Sequence, residues 1–102
     1  MNAVVPVSVT NEVPILSCDN FPDWKDKILL KLGCLDLDLA LHKECPPIPT
    51  KATKPSKKVE FEKWECANRL SMMLMKSHIS RSIMGSIPEF DKVKDFMKAI
   101  EQ

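Results

Sequence analysis

The sequence predicts a small all-α domain, a bundle of four to five helices that follows an extended N-terminal arm. In residues 59–84 the apolar side chains recur at helical spacing, which indicates one long helix and a short successor. Only two glycines occur, Gly33 and Gly85, and this disfavours a hairpin-rich β fold. A chain of 102 residues with 44% hydrophobic residues is long enough to bury one core.

The long helix is predicted over residues 59–77 and is apolar around most of its circumference. The exception is a narrow line of charged residues at spacings of three, four and seven. This charged ridge comprises Glu62, Glu65, Arg69 and Lys76. Such a helix is expected to be buried except along the charged ridge, which faces solvent. The residues expected to be buried together are Trp24, Leu32, Trp64, Leu70, Leu74 and Phe96.

Residues 1–18 show no helical period and are predicted to form an extended arm, so the helical domain is assigned to residues 19–102. Within the arm, Val4–Val9 is a candidate for a short β-like piece, and Ile15–Leu16 for a further apolar contact.

The first helix is predicted over residues 22–33. Asn20 followed by Pro22 is typical of a helix start. Trp24, Ile28 and Leu32 then share one face, and Gly33 is expected to end the helix.

The next residues, 34–41, read CLDLDLAL and permit two interpretations. Leucine at every second position is typical of a strand, whereas Asp36 or Asp38 could cap a short helix that carries Leu39 and Leu41 inward. Because no second convincing strand is present, a turn or short helix over 36–42 is favoured.

Four prolines make residues 43–58 a predicted linker, which also carries a cluster of lysines. The lysines are Lys51, Lys54, Lys57 and Lys58. They are candidates for a weak contact with RNA or an acidic partner, although no aromatic side chain is interleaved for base stacking. A solvated loop is the favoured interpretation.

Two further helical pieces are predicted near the end of the chain, over residues 79–84 and 87–101. Gly85 is expected to end the first of them. The sequence Ser86-Ile87-Pro88-Glu89 matches a capping box and is expected to begin the second.

The composition and the residue spacings give no sign of a catalytic, metal-binding or membrane-spanning segment. The net charge is +1, and no apolar run is long enough to cross a bilayer. Cysteine and histidine spacings match no zinc motif, and no phosphate-binding glycine loop occurs, so no metal, cofactor or catalytic residue is predicted. Four unpaired cysteines and no secretory signal favour a reduced, cytoplasmic protein, in which Cys66 is expected to be less accessible than Cys18 and Cys45.

The order of several segments resembles the N-terminal part of plant copia-type LTR-retrotransposon Gag polypeptides, from about Cys18 to Gln102. The segments are FPDWKDKILLKLGCLDLDLAL, a proline-lysine linker, EKWECANRLSMMLMKSHIS and GSIPEFDKVKDFMKAIEQ. The resemblance implies a non-enzymatic, capsid-like N-terminal lobe that self-associates. The family continues into further helices and a zinc knuckle that are not present in these residues, so RNA binding is expected only through such downstream regions.

A homo-oligomer is therefore the expected assembly. The alternative is a domesticated Gag-derived adaptor that binds another protein or interferes with Gag assembly. Apolar residues at the margins of the predicted helix faces are the candidate protein interface. They are Leu30, Met72, Met73 and Phe90.

Overall fold

The computed structural model describes residues 13–101. Within that range the chain forms five helices and no strand, apart from an isolated parallel bridge between Leu16 and Ile79. The helices are α1 (Phe21–Cys34), α2 (Leu39–His42), α3 (Pro55–Lys76), α4 (Arg81–Met84) and α5 (Val93–Glu101). The predicted all-α class is confirmed.

The long helix α3 organises the bundle, because it packs against both α2 and α5. It begins at Pro55, four residues before the predicted start at 59, so residues 55–58 are helical and the predicted linker is too long. Proline suits a first helical position because its φ angle is already helical and the missing N–H would have no partner there. The amides of Lys57 and Lys58 both donate to the carbonyl of Lys54, which closes the first turn.

The buried face of α3 differs from the predicted one. Its buried residues are Trp64, Ala67, Asn68, Ser71, Met72 and Met75. Leu70 and Leu74 are only half-buried, so their predicted place in the centre of the core is wrong. The other four residues predicted to be buried together are confirmed as buried: Trp24, Leu32, Trp64 and Phe96.

Both tryptophans satisfy their indole N–H groups on backbone carbonyls of loops. Nε1 of Trp24 donates to the carbonyl of His78 at 2.9 Å. Nε1 of Trp64 donates to the carbonyl of Lys43 at 2.8 Å. A buried indole needs such a partner, and each bond ties an irregular segment to the helical core.

The arm contacts the core just before α1. Leu16 is 2% exposed, its amide donates to the carbonyl of His78, and its carbonyl accepts from the amide of Ser80. Ile15 is 52% exposed because neighbouring residues of an extended chain point in opposite directions. The apolar contact predicted at 15–16 is thus made by Leu16; the β-like piece predicted at Val4–Val9 lies outside the described residues.

The end of α1 is set by an aspartate and not by the glycine. The helix continues through Gly33 to Cys34, and the residue with a positive φ angle is Asp36, at 58°. Aspartate tolerates this left-handed conformation better than most residues. The prediction that Gly33 terminates the helix is therefore wrong.

The short helix favoured over 36–42 is present as α2, Leu39–His42, which follows Asp38. Its inward residue is Ala40, at 1% exposure, whereas Leu39 is 37% exposed and Leu41 is half-buried. The expectation that Leu39 and Leu41 both point inward is wrong. A helix turns about 100° per residue, so when Ala40 packs against the core its two neighbours point away to either side.

Helix α5 begins at Val93, six residues later than predicted, and the predicted capping box does not start it. The side chain of Asn68 holds this start instead. Its Oδ1 accepts from the amide of Val93 at 2.7 Å, and its Nδ2 donates to the carbonyl of Asp91 at 2.7 Å. A cap supplied by another helix leaves no local sequence signal. The short helix predicted over 79–84 likewise begins later, at Arg81, because Ile79 is engaged in the bridge to Leu16.

The free thiols differ in exposure, and the predicted order is wrong for one of them. Cys66 lies on the outer side of α3 and is exposed, as are Cys18 and Cys34, whereas Cys45 is half-buried. We expect a thiol-reactive dye to label Cys66 faster than Cys45, because the Cys66 side chain is more accessible to the reagent. Peptide mapping after partial labelling measures the order, and slower labelling of Cys66 than of Cys45 would contradict the orientation of α3.

Candidate functional site

A continuous apolar surface covers one flank of α3 and the connection between α1 and α2. Two shallow hollows on this side of the molecule share Leu37 in their walls. The apolar surface is formed by Leu35, Leu37, Leu39, Cys66, Leu70, Met73 and Leu74, and Asp36 and Lys63 border it at the second hollow. Leu35 is 52% exposed and Met73 is 59% exposed. A contiguous exposed patch of this kind is typical of a protein contact site.

Local structure explains how these residues meet. Asp36, in the left-handed conformation, follows α1, and the leucines of residues 35–39 line the same hollows as side chains of α3. The hydroxyl of Ser71 on α3 donates to the carbonyl of Leu37, which fixes the turn against the helix. Leu35, before Asp36, and Leu37 and Leu39, after it, therefore all contribute to the apolar surface.

The four predicted interface residues do not form one site. Met73 lies within the apolar surface, and Leu30 is 47% exposed on α1 but lines neither hollow. Met72 is 8% exposed, so its prediction as an interface residue is corrected: one step along α3 turns it about 100° from Met73 into the core. Phe90 is half-buried, its ring 6.4 Å from that of Phe96 in an edge-on arrangement.

The charged ridge runs beside the apolar surface along α3. Glu62, Glu65 and Arg69 are exposed. Lys76 is more enclosed, with a side chain that is 34% exposed. Its Nζ lies 3.4 Å from the carboxylate of Glu89 and 5.8 Å from the centre of the Phe96 ring. The outer side of α3 thus has one apolar flank and one charged flank.

The predicted lysine cluster is divided between the loop and the first turns of α3. Lys51 and Lys54 precede the helix, and Lys57 and Lys58 are part of it. Lys57 forms an ion pair of 3.8 Å with Glu60, and Glu60 also lies 3.5 Å from Nζ of Lys43. A carboxylate therefore partly neutralises this basic region.

A second basic cluster, not singled out from the sequence, surrounds Glu44. Lys94 lies 2.7 Å from the Glu44 carboxylate. The hydrogen bond and charge of Lys94, together with the charges of Lys92 and Lys98, hold the pKa of Glu44 below its ordinary value. The three lysines come from α5 and the residue before it, so only the fold brings them to Glu44.

A cleft of about 480 Å³ lies where the arm meets the C-terminal half of the chain. Its walls include Leu16, Phe21, Ile83, Ile87 and Ile100. Sequence reasoning missed it because its walls come from segments far apart in the chain. Its lining is mixed, since Ser17, Ser86 and Glu101 lie beside the apolar residues.

Within residues 13–101, no group of three or more His, Cys, Asp or Glu side chains is placed to hold a metal ion. Among the described helices, none is both long enough and apolar enough to span a membrane. Comparisons with protein-family models, curated proteins and solved structures gave no match to this chain.

Proposed function

We propose that this protein is a non-enzymatic self-association module, of the kind that builds the particle shell of a copia-type Gag. The observation that carries the proposal is the apolar surface on α3 and the α1–α2 connection. A lone domain gains nothing by exposing contiguous leucine and methionine to water, whereas a second copy can bury them.

Two further features support association between like copies. The net charge of +1 produces little long-range repulsion between identical chains. The apolar surface also lies largely on a 22-residue helix, an element rigid enough to present its side chains without a large ordering cost. The resemblance of the sequence to Gag polypeptides points to the same class of function.

We expect a weak, concentration-dependent homodimer or small oligomer. Sedimentation equilibrium of the purified chain, from micromolar to millimolar concentration, measures it. Met73→Glu should weaken the association about tenfold or more, because a buried carboxylate would have no partner in the contact.

Ile48→Glu is the matched control, because Ile48 is 76% exposed and lies in the loop between α2 and α3, outside the apolar surface. It should leave the association unchanged. A strict monomer at millimolar concentration would refute self-association and favour the adaptor, whose apolar surface would bind a different protein.

A further inference from the structure

The two flanks of α3 constrain how a second copy can bind. Viewed down the helix axis, Met73 and Cys66 lie near the centre of the exposed side. Leu70 and Leu74 extend it on one flank, where Lys63 also lies, and the charged ridge extends it on the other. The order along the ridge is acid, acid, base, base: Glu62, Glu65, Arg69 and Lys76.

A parallel two-fold pairing of α3 with its copy would bring unlike flanks together. In that arrangement the ridge of each helix lies against the leucine flank of the other, as g and e positions meet in parallel coiled coils. Only Lys63 could then pair with Glu62 or Glu65, and Arg69 of each helix would lie against Leu70 of the other without a carboxylate, which is unfavourable.

An antiparallel two-fold pairing brings like flanks together, so that leucines meet leucines and ridge meets ridge. Reversal of one helix also sets the acidic start of each ridge against the basic end of the other. With the axis near position 69, Glu62 faces Lys76 of the second copy, and Glu65 lies about one turn from its Arg69. Lys58, one turn earlier on the same line, then lies about 6 Å beyond the partner's Lys76, past the end of its α3.

We infer that the chain pairs through α3 in an antiparallel, two-fold symmetric contact centred near residue 69. The inference rests on the proposed self-association and adds the partner surface and its orientation: α3 of a second copy, reversed. The same surface on both subunits is the ordinary form of a symmetric dimer.

Charge exchange along the ridge tests the orientation. In the variant Glu62→Lys/Glu65→Lys all four ridge residues are positively charged, so the dissociation constant of its homodimer should rise about tenfold or more. The fourfold variant, which adds Arg69→Glu and Lys76→Glu, should recover the dimerisation that the double variant loses. Far-UV circular dichroism checks its fold, because Lys76→Glu also removes the ion pair with Glu89. It should not form mixed dimers with the wild type, since acid would then face acid. Preferential mixed dimers would overturn the antiparallel arrangement.

Cross-linking gives an independent reading of the same geometry. In a background with the four cysteines replaced by serine, Glu62→Cys and Lys76→Cys are prepared as separate variants. A short bismaleimide should link the two variants when they are mixed and should link neither variant to itself. Two copies of position 62 would lie about 21 Å apart along the axis, from fourteen residues at 1.5 Å each.

Efficient self-linking of the position-62 variant would demonstrate a parallel pairing and refute the inference while leaving self-association intact. A chain that sediments as a monomer in the same background would refute the proposed function itself. A dimer that forms neither cross-link would place the contact away from α3 and would likewise refute the inference.

Discussion

Trp64→Ala should lower the free energy of unfolding by about 3–5 kcal/mol, because it removes a large buried side chain and leaves a cavity that the helices fill only in part. Trp64 is 5% exposed on the inner face of α3, and its indole N–H is bonded to the carbonyl of Lys43. Urea unfolding followed by far-UV circular dichroism, at a concentration where the chain is monomeric, measures the loss.

Trp64→Phe is the control that separates the hydrogen bond from the packing. Phenylalanine retains much of the apolar contact but cannot donate to Lys43, so we expect a smaller loss of about 1–2 kcal/mol. An unchanged midpoint for the alanine variant would show that α3 does not pack on the core through Trp64.

Asn68→Ala should cost about 2–4 kcal/mol, because it breaks two hydrogen bonds made by one buried amide. Without Asn68, the amide of Val93 loses its acceptor at the first residue of α5, and the carbonyl of Asp91 loses its donor. The first turn of α5 should fray, and the Val93 amide should exchange with solvent faster, as followed by NMR.

Lys63→Ala, on the outer side of the same helix, is the matched control and should change the stability by less than about 0.5 kcal/mol. If Asn68→Ala behaved like this control, and protection of the Val93 amide were retained, Asn68 would not be the cap of α5.

The features that local sequence signals encode were predicted well. The first helix was placed within one residue at each end, because the proline near its start, the apolar spacing of Trp24, Ile28 and Leu32 and its length all act within the segment itself. The short helix near residue 40 was recognised for a similar reason: the sequence offers no second strand with which alternating leucines could pair.

The candidate site was predicted only in part. Met73 was identified as an exposed apolar residue, and the structure places it at 59% exposure. Its neighbour Met72 was assigned to the same surface, although it is buried at 8% exposure. When a helix is apolar nearly all round, the sequence does not reveal which apolar side faces the core. Neighbouring residues point about 100° apart around the helix axis, so an error of one residue can exchange a buried side chain for an exposed one.

By itself, the sequence determined the helical class, the position of α1, the existence of the long α3 and the order of charges along its ridge. These follow from side-chain spacing and from the preferences of proline, which act over a few residues. Only the tertiary structure decided that α3 turns Asn68 and Ser71 inward while Cys66 and Met73 face water. The start of α5, set by Asn68, and the joining of the residue 35–39 leucines to α3 were decided in the same way. These features depend on contacts between segments more than 20 residues apart, such as Asn68 with Val93 and Ser71 with Leu37, which local preference cannot specify.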